Sequence, residues 1–427
     1  AAGGSGGGGG GGAPPAPPPT PLSPRGSGGS ARAWAPPPPV PGSRSVSIGA
    51  WVGVGSRDEP AAHAGVCHFL EHLLFKGTAD RSALDLARSV ERAGGELDAF
   101  TSREHTVLHA RFPARHADLA VEILGAVLAA PALREDDIEV ERSVILEELA
   151  ATRDVPEEEA YLCLYESLFP DHGLGRDSLG THDTISSIGR SEIAAFFGDE
   201  FTSDRMVVAA SGAVDHDRFL GQVGELVPTR SSSGPVLRVP TAPAIGQQIE
   251  HRRDCEQGQL VLAWPGLSAA DPDRHVYAVL TQILGGGMAS RLFQRVREDR
   301  GWAYSVYAST AAFTDTGVVL VGAATAPGRL DAVTDLVLDE VSDLRANGPD
   351  ADELATAIGA LTGSTELAVE DPGARMFGHG AAMVERGEPM DVDDELAGLS
   401  AVTAGDVTDL AQRLLVAEPT RVAIRPE

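Results

Sequence analysis

Residues 67–78 read CHFLEHLLFKGT and set His68, Glu71 and His72 inside an apolar run. The run reads as a helix, and on a helix residues four apart project from one face, one turn above the other. His68 and His72 then present two imidazoles to a single cation, with Glu71 beside them. Neutral imidazole nitrogens suit a borderline-soft ion such as Zn²⁺. A carboxylate next to such an ion is placed to take a proton from a water that the ion acidifies.

The spacing is HxxEH, the reversed form of the HExxH word of zinc hydrolases. A chain with 12 His and 62 acidic residues produces such a word by chance in roughly a few per cent of cases, so a third ligand has to support it. Catalytic zinc takes three protein ligands and keeps one position open, which predicts a further His, Asp or Glu on a neighbouring element. Glu148 is the best candidate. It lies on a helix expected over 138–151, where Glu141 and Glu148 stand two turns apart on nearly one face.

Outward from the motif, SVSIGAWVGVGSRDEP from Ser45 reads as a strand and ALDLARSVERAGG as a helix stopped by Gly94 and Gly95. ELDAFTSREHTVLHARF is a β pair, and RMVVAASGAVDHD is a strand closing the first half. From Gln248 the pattern repeats: a strand (QLVLAWPG), a helix over 273–284, a β pair (WAYSVYASTAAF and GVVLVGAAT) and a helix over 330–344. The helix in the motif's place reads RHVYAVLTQIL, with no second His and no Glu, so the repeat is expected to keep the fold and lack the metal.

The expected fold is α+β, two homologous domains, each a mainly antiparallel sheet covered by helices. Four segments are expected: 1–44, Gly/Pro-rich and disordered; 45–228, metal-binding; 229–247, a Pro/Ser-rich linker; and 248–427, the second domain. The prolines of ARAWAPPPPVPGS cannot donate to a ladder, which predicts that a first edge strand is lost there.

A net charge of −28 argues against nucleic acid or an anionic membrane as partner and is compatible with a cationic peptide. No charged start followed by an apolar core and no membrane-spanning run is seen, so the cytoplasm is expected. Three widely spaced cysteines indicate neither a disulfide framework nor a CxxC site. Lys76 is the only lysine, a bias read as compositional and given no function.

Taken together and in this order, HFLEHLLFKGT, GGELDAFTSREHT, ERSVILEEL, HGLGRDSLGT and GGGMASRLFQRVREDRGWAYSVY resemble the pitrilysin (M16) family of zinc peptidases. The nearest branch resembles the mitochondrial processing peptidase β subunit and its bacterial relatives. The resemblance implies one Zn²⁺ per chain held by His68, His72 and Glu148, since the family's third ligand is a glutamate 76 residues beyond the second motif histidine. It also implies that Glu71 is the general base and that Glu141 is an outer glutamate supporting catalysis.

It further implies that Gly94–Thr106, around Asp98, Ala99, Phe100 and Thr101, is an edge strand that takes an extended peptide by β-augmentation. Asp98 stands where asparagine is usual in the family, keeping an acceptor and losing the amide donor. Glu157, Glu158 and Glu159 correspond to acidic residues that select arginine. Arg297 and Tyr304 correspond to a substrate clamp that reaches the scissile peptide only if the second domain folds back. The implied substrate is an unfolded peptide or presequence, and the implied partner is a second copy or a related subunit, each chain forming half of a clamshell. The alternative is a non-catalytic partner subunit of a heterodimeric processing peptidase; the retained motif residues argue against it.

Overall fold

Each half of the chain contributes a five-stranded sheet, and the two sheets share one strand order. The computed structural model describes residues 32–34 and 42–427 except 227–229, 233, 235 and 237. Its first sheet holds β1 (Arg32–Trp34), β2 (Ser45–Val52), β3 (Glu96–Thr101), β4 (Thr106–Pro113) and β5 (Met206–Gly212), in the order β1-β5-β2-β4-β3. The second holds β6 (Gln248–Arg253), β7 (Gly258–Gly266), β8 (Ala303–Ala312), β9 (Gly317–Thr325) and β10 (Thr420–Pro426), in the order β6-β10-β7-β9-β8. Among the described residues only β1 with β5 and β6 with β10 run parallel; the other pairings are antiparallel. The fold is the expected α+β pair of mainly antiparallel halves.

The N-terminal expectations need correction. Arg32–Trp34 falls inside the segment expected to be disordered, yet it pairs with Val207–Ala209, so the first edge strand is present. All three paired residues precede the first proline of the run, so the ladder never needs the missing donors. The rest of 1–41 lies outside the described residues.

Helices α1 (Val66–Leu74), α2 (Ala83–Ala93), α3 (Ala117–Ala129), α4 (Glu135–Arg153), α5 (Pro156–Leu168), α6 (His182–Ser187), α7 (Arg190–Glu200) and α8 (His216–Leu226) belong to the first half. The second has α9 (Arg274–Gly285), α10 (Leu330–Asn347), α11 (Ala351–Ala368), α12 (Pro372–Glu385), α13 (Val392–Ser400) and α14 (Ala404–Leu414). Local chemistry sets several boundaries. Ser82 and Asp85 form a reciprocal capping box at the start of α2, and Gly94 ends it with a left-handed φ of 70°.

The two halves exchange a helix. Along β2, Val46, Ile48, Ala50 and Val52 face a core shared with α1 and α3, while Trp51 points to the opposite face. That face is covered by α12 of the second half, whose Met376 and Met383 pack on Trp51, Val107 and Ala209. Two glycines allow the close approach: a Cβ on Gly380 would lie 2.2 Å from the Trp51 ring, and one on Gly49 2.5 Å from Met376 Sδ. Reciprocally, Ala160, Leu164 and Leu168 of α5 pack on Val261, Ala263, Leu320, Val422 and Ile424 of the second sheet. The expected division near 228–248 therefore cuts across the packing.

Buried ions reinforce the join. Arg57 donates to Glu104 and to Asp315 of the β8–β9 turn, at 2.6 Å each. Arg238 of the expected linker grips Asp58 at 2.8 Å and Thr314 at 2.8 Å. Such pairs contribute little over an apolar contact, but removing one partner strands the other charge.

Candidate metal centre

Helix α1 is nine residues long and is held at its start by a carboxylate from outside the helix. Gly65, in the left-handed region at φ 92°, precedes it, and the buried Glu59 accepts the N–H groups of Gly65 and Cys67 at 2.8 Å each. A carboxylate at a helix N-terminus is favourably placed against the helix dipole. Burial still dominates and pushes the Glu59 carboxyl up to about 7 against those hydrogen bonds. Arg176, from the HGLGRDSLGT segment, fixes the same turn by donating to the Glu59 carbonyl at 2.6 Å. Val66, Phe69, Leu70, Leu73 and Leu74 are buried, so the opposite face of α1 carries the histidines toward α4.

There His68 and His72 meet edge to face, with centroids 4.6 Å apart and an interplanar angle of 73°. Their Nε2 atoms are 3.3 Å apart. Glu148 Oε2, from α4, is 3.7 Å from His68 Nε2 and 3.6 Å from His72 Nε2. Ligand bonds of about 2.0–2.1 Å in a tetrahedral zinc site put neighbouring ligand atoms about 3.3 Å apart. The three donor atoms thus already form one face of such a tetrahedron. Both rings are largely buried while the Glu148 side chain is 43% exposed, so solvent reaches the site from the Glu148 side.

The surroundings fit a metal as well. Burial, with His72 adding, lowers the His68 pKa to about 4, so its imidazole is neutral at pH 7 and able to ligate. Glu71 Oε2 is buried with no hydrogen-bond partner, on the helix that carries both histidines. Burial raises the Glu71 pKa, Thr101 and His72 oppose it, and Glu148 and Asp98 add to it. On the far side of His72, Glu141 Oε2 lies 2.9 Å from Nδ1 and Oε1 pairs with Lys76. Burial raises the Glu141 pKa, but the bonds from Lys76 and His72 outweigh it and hold it low. A carboxylate on Nδ1 selects the tautomer that leaves Nε2 free to ligate.

The other expected site residues are placed as follows. β3 is the edge strand of its sheet beside α1, its side chains alternating exposed and half-buried; Phe100 is 41% exposed. The Asp98 carboxylate accepts from the Ala99 N–H at 2.9 Å. β3 packs along α1, with Thr101 near enough to Glu71 to lower its pKa. Arg297 and Tyr304 meet each other instead: the guanidinium is 5.4 Å from the Tyr304 ring and 4.7 Å from that of Phe293, and Tyr304 is 79% exposed. Of the acidic run, Glu157 accepts from Tyr307 at 2.8 Å and Glu159 pairs with Arg253 at 2.6 Å; Glu157 and Glu158 are exposed and Glu159 is half-buried. Glu159, Cys163 and His251 also approach one another, but Arg253 already occupies the carboxylate.

Reading the sequence missed Lys76, Glu59 and Arg176. Only Lys76 carried a signal, as the single lysine of the chain.

Fold and site define a duplicated α+β protein whose first half gathers two histidines and one glutamate that could hold a metal ion. The family model described as Insulinase (Peptidase family M16) matches residues 40–182, and the one described as Peptidase M16 inactive domain matches 187–361. A Streptomyces coelicolor protein named as an uncharacterized zinc protease is 39% identical over 395 residues, 91% of this chain and 86% of its own. A Mycobacterium tuberculosis protein of the same description is 38% identical over 402 residues, 92% and 91% of the two chains. The chain belongs to peptidase family M16, and at family level it is a zinc metalloprotease. A solved structure described as a peptidase M16 inactive domain from Pseudomonas fluorescens superposes with a TM-score of 0.85 at 22% identity, over 93% of this chain and 96% of that one. A protease from Helicobacter pylori does so at 0.86 and 18%, over 93% and 98%. Among the described residues no helix is long and apolar enough to cross a membrane.

Proposed function

We propose that the protein is an endopeptidase that binds one Zn²⁺ per chain through His68, His72 and Glu148 and hydrolyses unfolded peptides or presequences. When bound, the metal supplies Lewis acidity, polarising the scissile carbonyl and acidifying a water. Glu71 takes the proton of the attacking water on Oε2 and returns it to the leaving amine, work that suits a carboxyl whose pKa burial has raised. Glu141 orients His72. The observation that carries the reading is the orphaned Glu71 Oε2 beside a preassembled triad of donors.

The substrate adds to the free edge of β3 along Asp98, Ala99, Phe100 and Thr101 through main-chain hydrogen bonds, after Asp98 releases the Ala99 N–H. Half-buried Arg297 and exposed Tyr304, both on the second half, grip the substrate once that half closes over it. The working unit is a cytoplasmic dimer, with a second copy or a related subunit completing the chamber.

Cleavage of an internally quenched peptide library tests the reading. Glu71→Gln should cut the rate by roughly 10²–10⁴-fold with zinc content by mass spectrometry unchanged. Equal cleavage by both proteins, or none by the zinc-loaded wild type alone and with added subunits, sinks it. The second of those outcomes favours the non-catalytic partner subunit.

A further inference from the structure

Of 34 basic Lys and Arg residues, Lys76 is the one lysine, and its ammonium meets Glu141 behind the metal centre. We propose that Lys76 is a positioning residue: it holds Oε1 of Glu141 so that Oε2 stays on His72 Nδ1 and fixes that ring for the metal. The inference rests on the reading that His68, His72 and Glu148 hold zinc.

The backbone at this point is unusually well tied. Lys76 N–H closes the turn after α1 on Leu73 O at 3.1 Å. Its carbonyl accepts from Arg134, which also bonds the Thr78 carbonyl at 2.7 Å and stands immediately before α4. Gly77 turns the chain at φ 109°, where a Cβ would lie 2.3 Å from Arg81 O. The ammonium is thus delivered from the end of the helix that carries His72 to the helix that carries Glu141, and ordering the side chain is all that remains.

The single lysine suits the geometry. Glu141 must divide its two oxygens, one to His72 and one to a cation. An ammonium is a point donor and accepts that arrangement. A guanidinium prefers both oxygens of a carboxylate at once, and a fork on Glu141 would compete with His72 for Oε2. The chain uses arginine at every other basic position, so a lysine at this one marks a place where the fork does harm.

Charge and orientation predict opposite signs. Removing a cation near a metal should tighten binding by Coulomb's law alone. Losing the anchor of the carboxylate that fixes His72 should weaken it, because outer partners of ligating histidines typically contribute 10–100-fold in metal affinity. Zinc affinity of the full chain, measured by competition with a chromophoric chelator, decides between them. For Lys76→Met and Lys76→Arg alike we expect zinc to bind about 10-fold more weakly. Thermal stability of the metal-free chain should fall in Lys76→Met, which strands the buried Glu141 carboxylate, and stay near wild type in Lys76→Arg, which keeps a cation there. In a Glu141→Ala background the further Lys76→Met change should no longer weaken binding, leaving only the small Coulomb gain.

Unchanged or tighter zinc binding by Lys76→Met, wild-type affinity in Lys76→Arg, or an undiminished effect without Glu141 overturns the proposal. Should a variant fail to fold, the wild type serves directly, since amine reagents find a single lysine side chain. Dimethyl-lysine keeps the charge and one N–H and should keep the affinity, whereas acetylation should lower it; equal affinities overturn the idea. A folded wild type that takes up no stoichiometric zinc fails at the earlier step, the metal reading itself.

Discussion

The two halves repeat one strand order, and among the described residues only the first presents a metal-binding set of side chains. Set against each other at the ends of α1 and α9, Leu73–Leu74 against Ile283–Leu284, the second half has Gln282 in place of His72, Thr281 in place of Glu71 and Gly286 in place of Lys76. Thr281 bonds back to the Tyr277 carbonyl at 2.8 Å, within its own helix. The same holds for the helices that face them. Glu148 stands eight residues before Pro156, as Ser364 stands eight before Pro372, and by that register Glu141 corresponds to Ala357. Glu141 is 4% exposed and Ala357 3%. One buried slot is filled by a methyl group in one half and by a carboxylate in the other. The fold does not need the carboxylate, and burying one costs free energy unless it is paired. Its presence, with a lysine and a histidine on its two oxygens, marks a site built for something other than stability.

Converting the first half toward the second is the most drastic test. His72→Gln with Glu148→Ser should abolish stoichiometric zinc and peptide cleavage, with the fold retained by circular dichroism. Breaking the join between the halves comes next. Arg57→Met leaves half-buried Asp315 without its cation and buried Glu104 with only Arg238 at 3.5 Å, and should cost about 3 kcal/mol in urea melts, while an equivalent change at exposed Arg88 should cost almost nothing.

Glu141→Ala, which copies Ala357, should weaken zinc binding by roughly 10–100-fold while leaving the metal-free chain at least as stable. The smallest effect is on pH. Burial lowers the pKa of His68 to about 4 and of His379 to about 3, so between the usual value of 6.5 and those values the unfolded chain binds more protons than the folded one. Stability of the metal-free chain should therefore be full above pH 6.5 and fall as pH drops, by roughly 1 kcal/mol per histidine between pH 7 and 5.5. Urea melts across that range check it. Buried Glu59 acts in the opposite sense, being protonated in the fold up to about 7, so Glu59→Gln should steepen the loss on acidification.

Much of this was legible in the sequence, because helix geometry and ligand chemistry are local. His68 and His72 share a face by spacing alone, and the repeat of strands and helices shows the duplication. The distance from His72 to Glu148 was readable only through family resemblance, since no local rule says which glutamate folds back. The exchange of α5 and α12 left no trace, because an apolar helix face reads the same whichever sheet it covers. β1 was missed because prolines dominate its surroundings while the three residues that pair are unremarkable. The role of Lys76 was missed for a plainer reason: a compositional bias was in view, but which carboxylate the lone ammonium meets depends on a contact 65 residues away.

The swapped helices also bear on how the protein is made. While the ribosome is still translating the second half, Trp51, Val107 and Ala209 have no cover, because residues 372–385 have not yet been synthesised. The nascent first half, metal ligands included, waits with a greasy sheet face toward water until nearly nine-tenths of the chain has emerged. A gene cut between the halves would leave each product with a bare sheet face that only the other's helix fits.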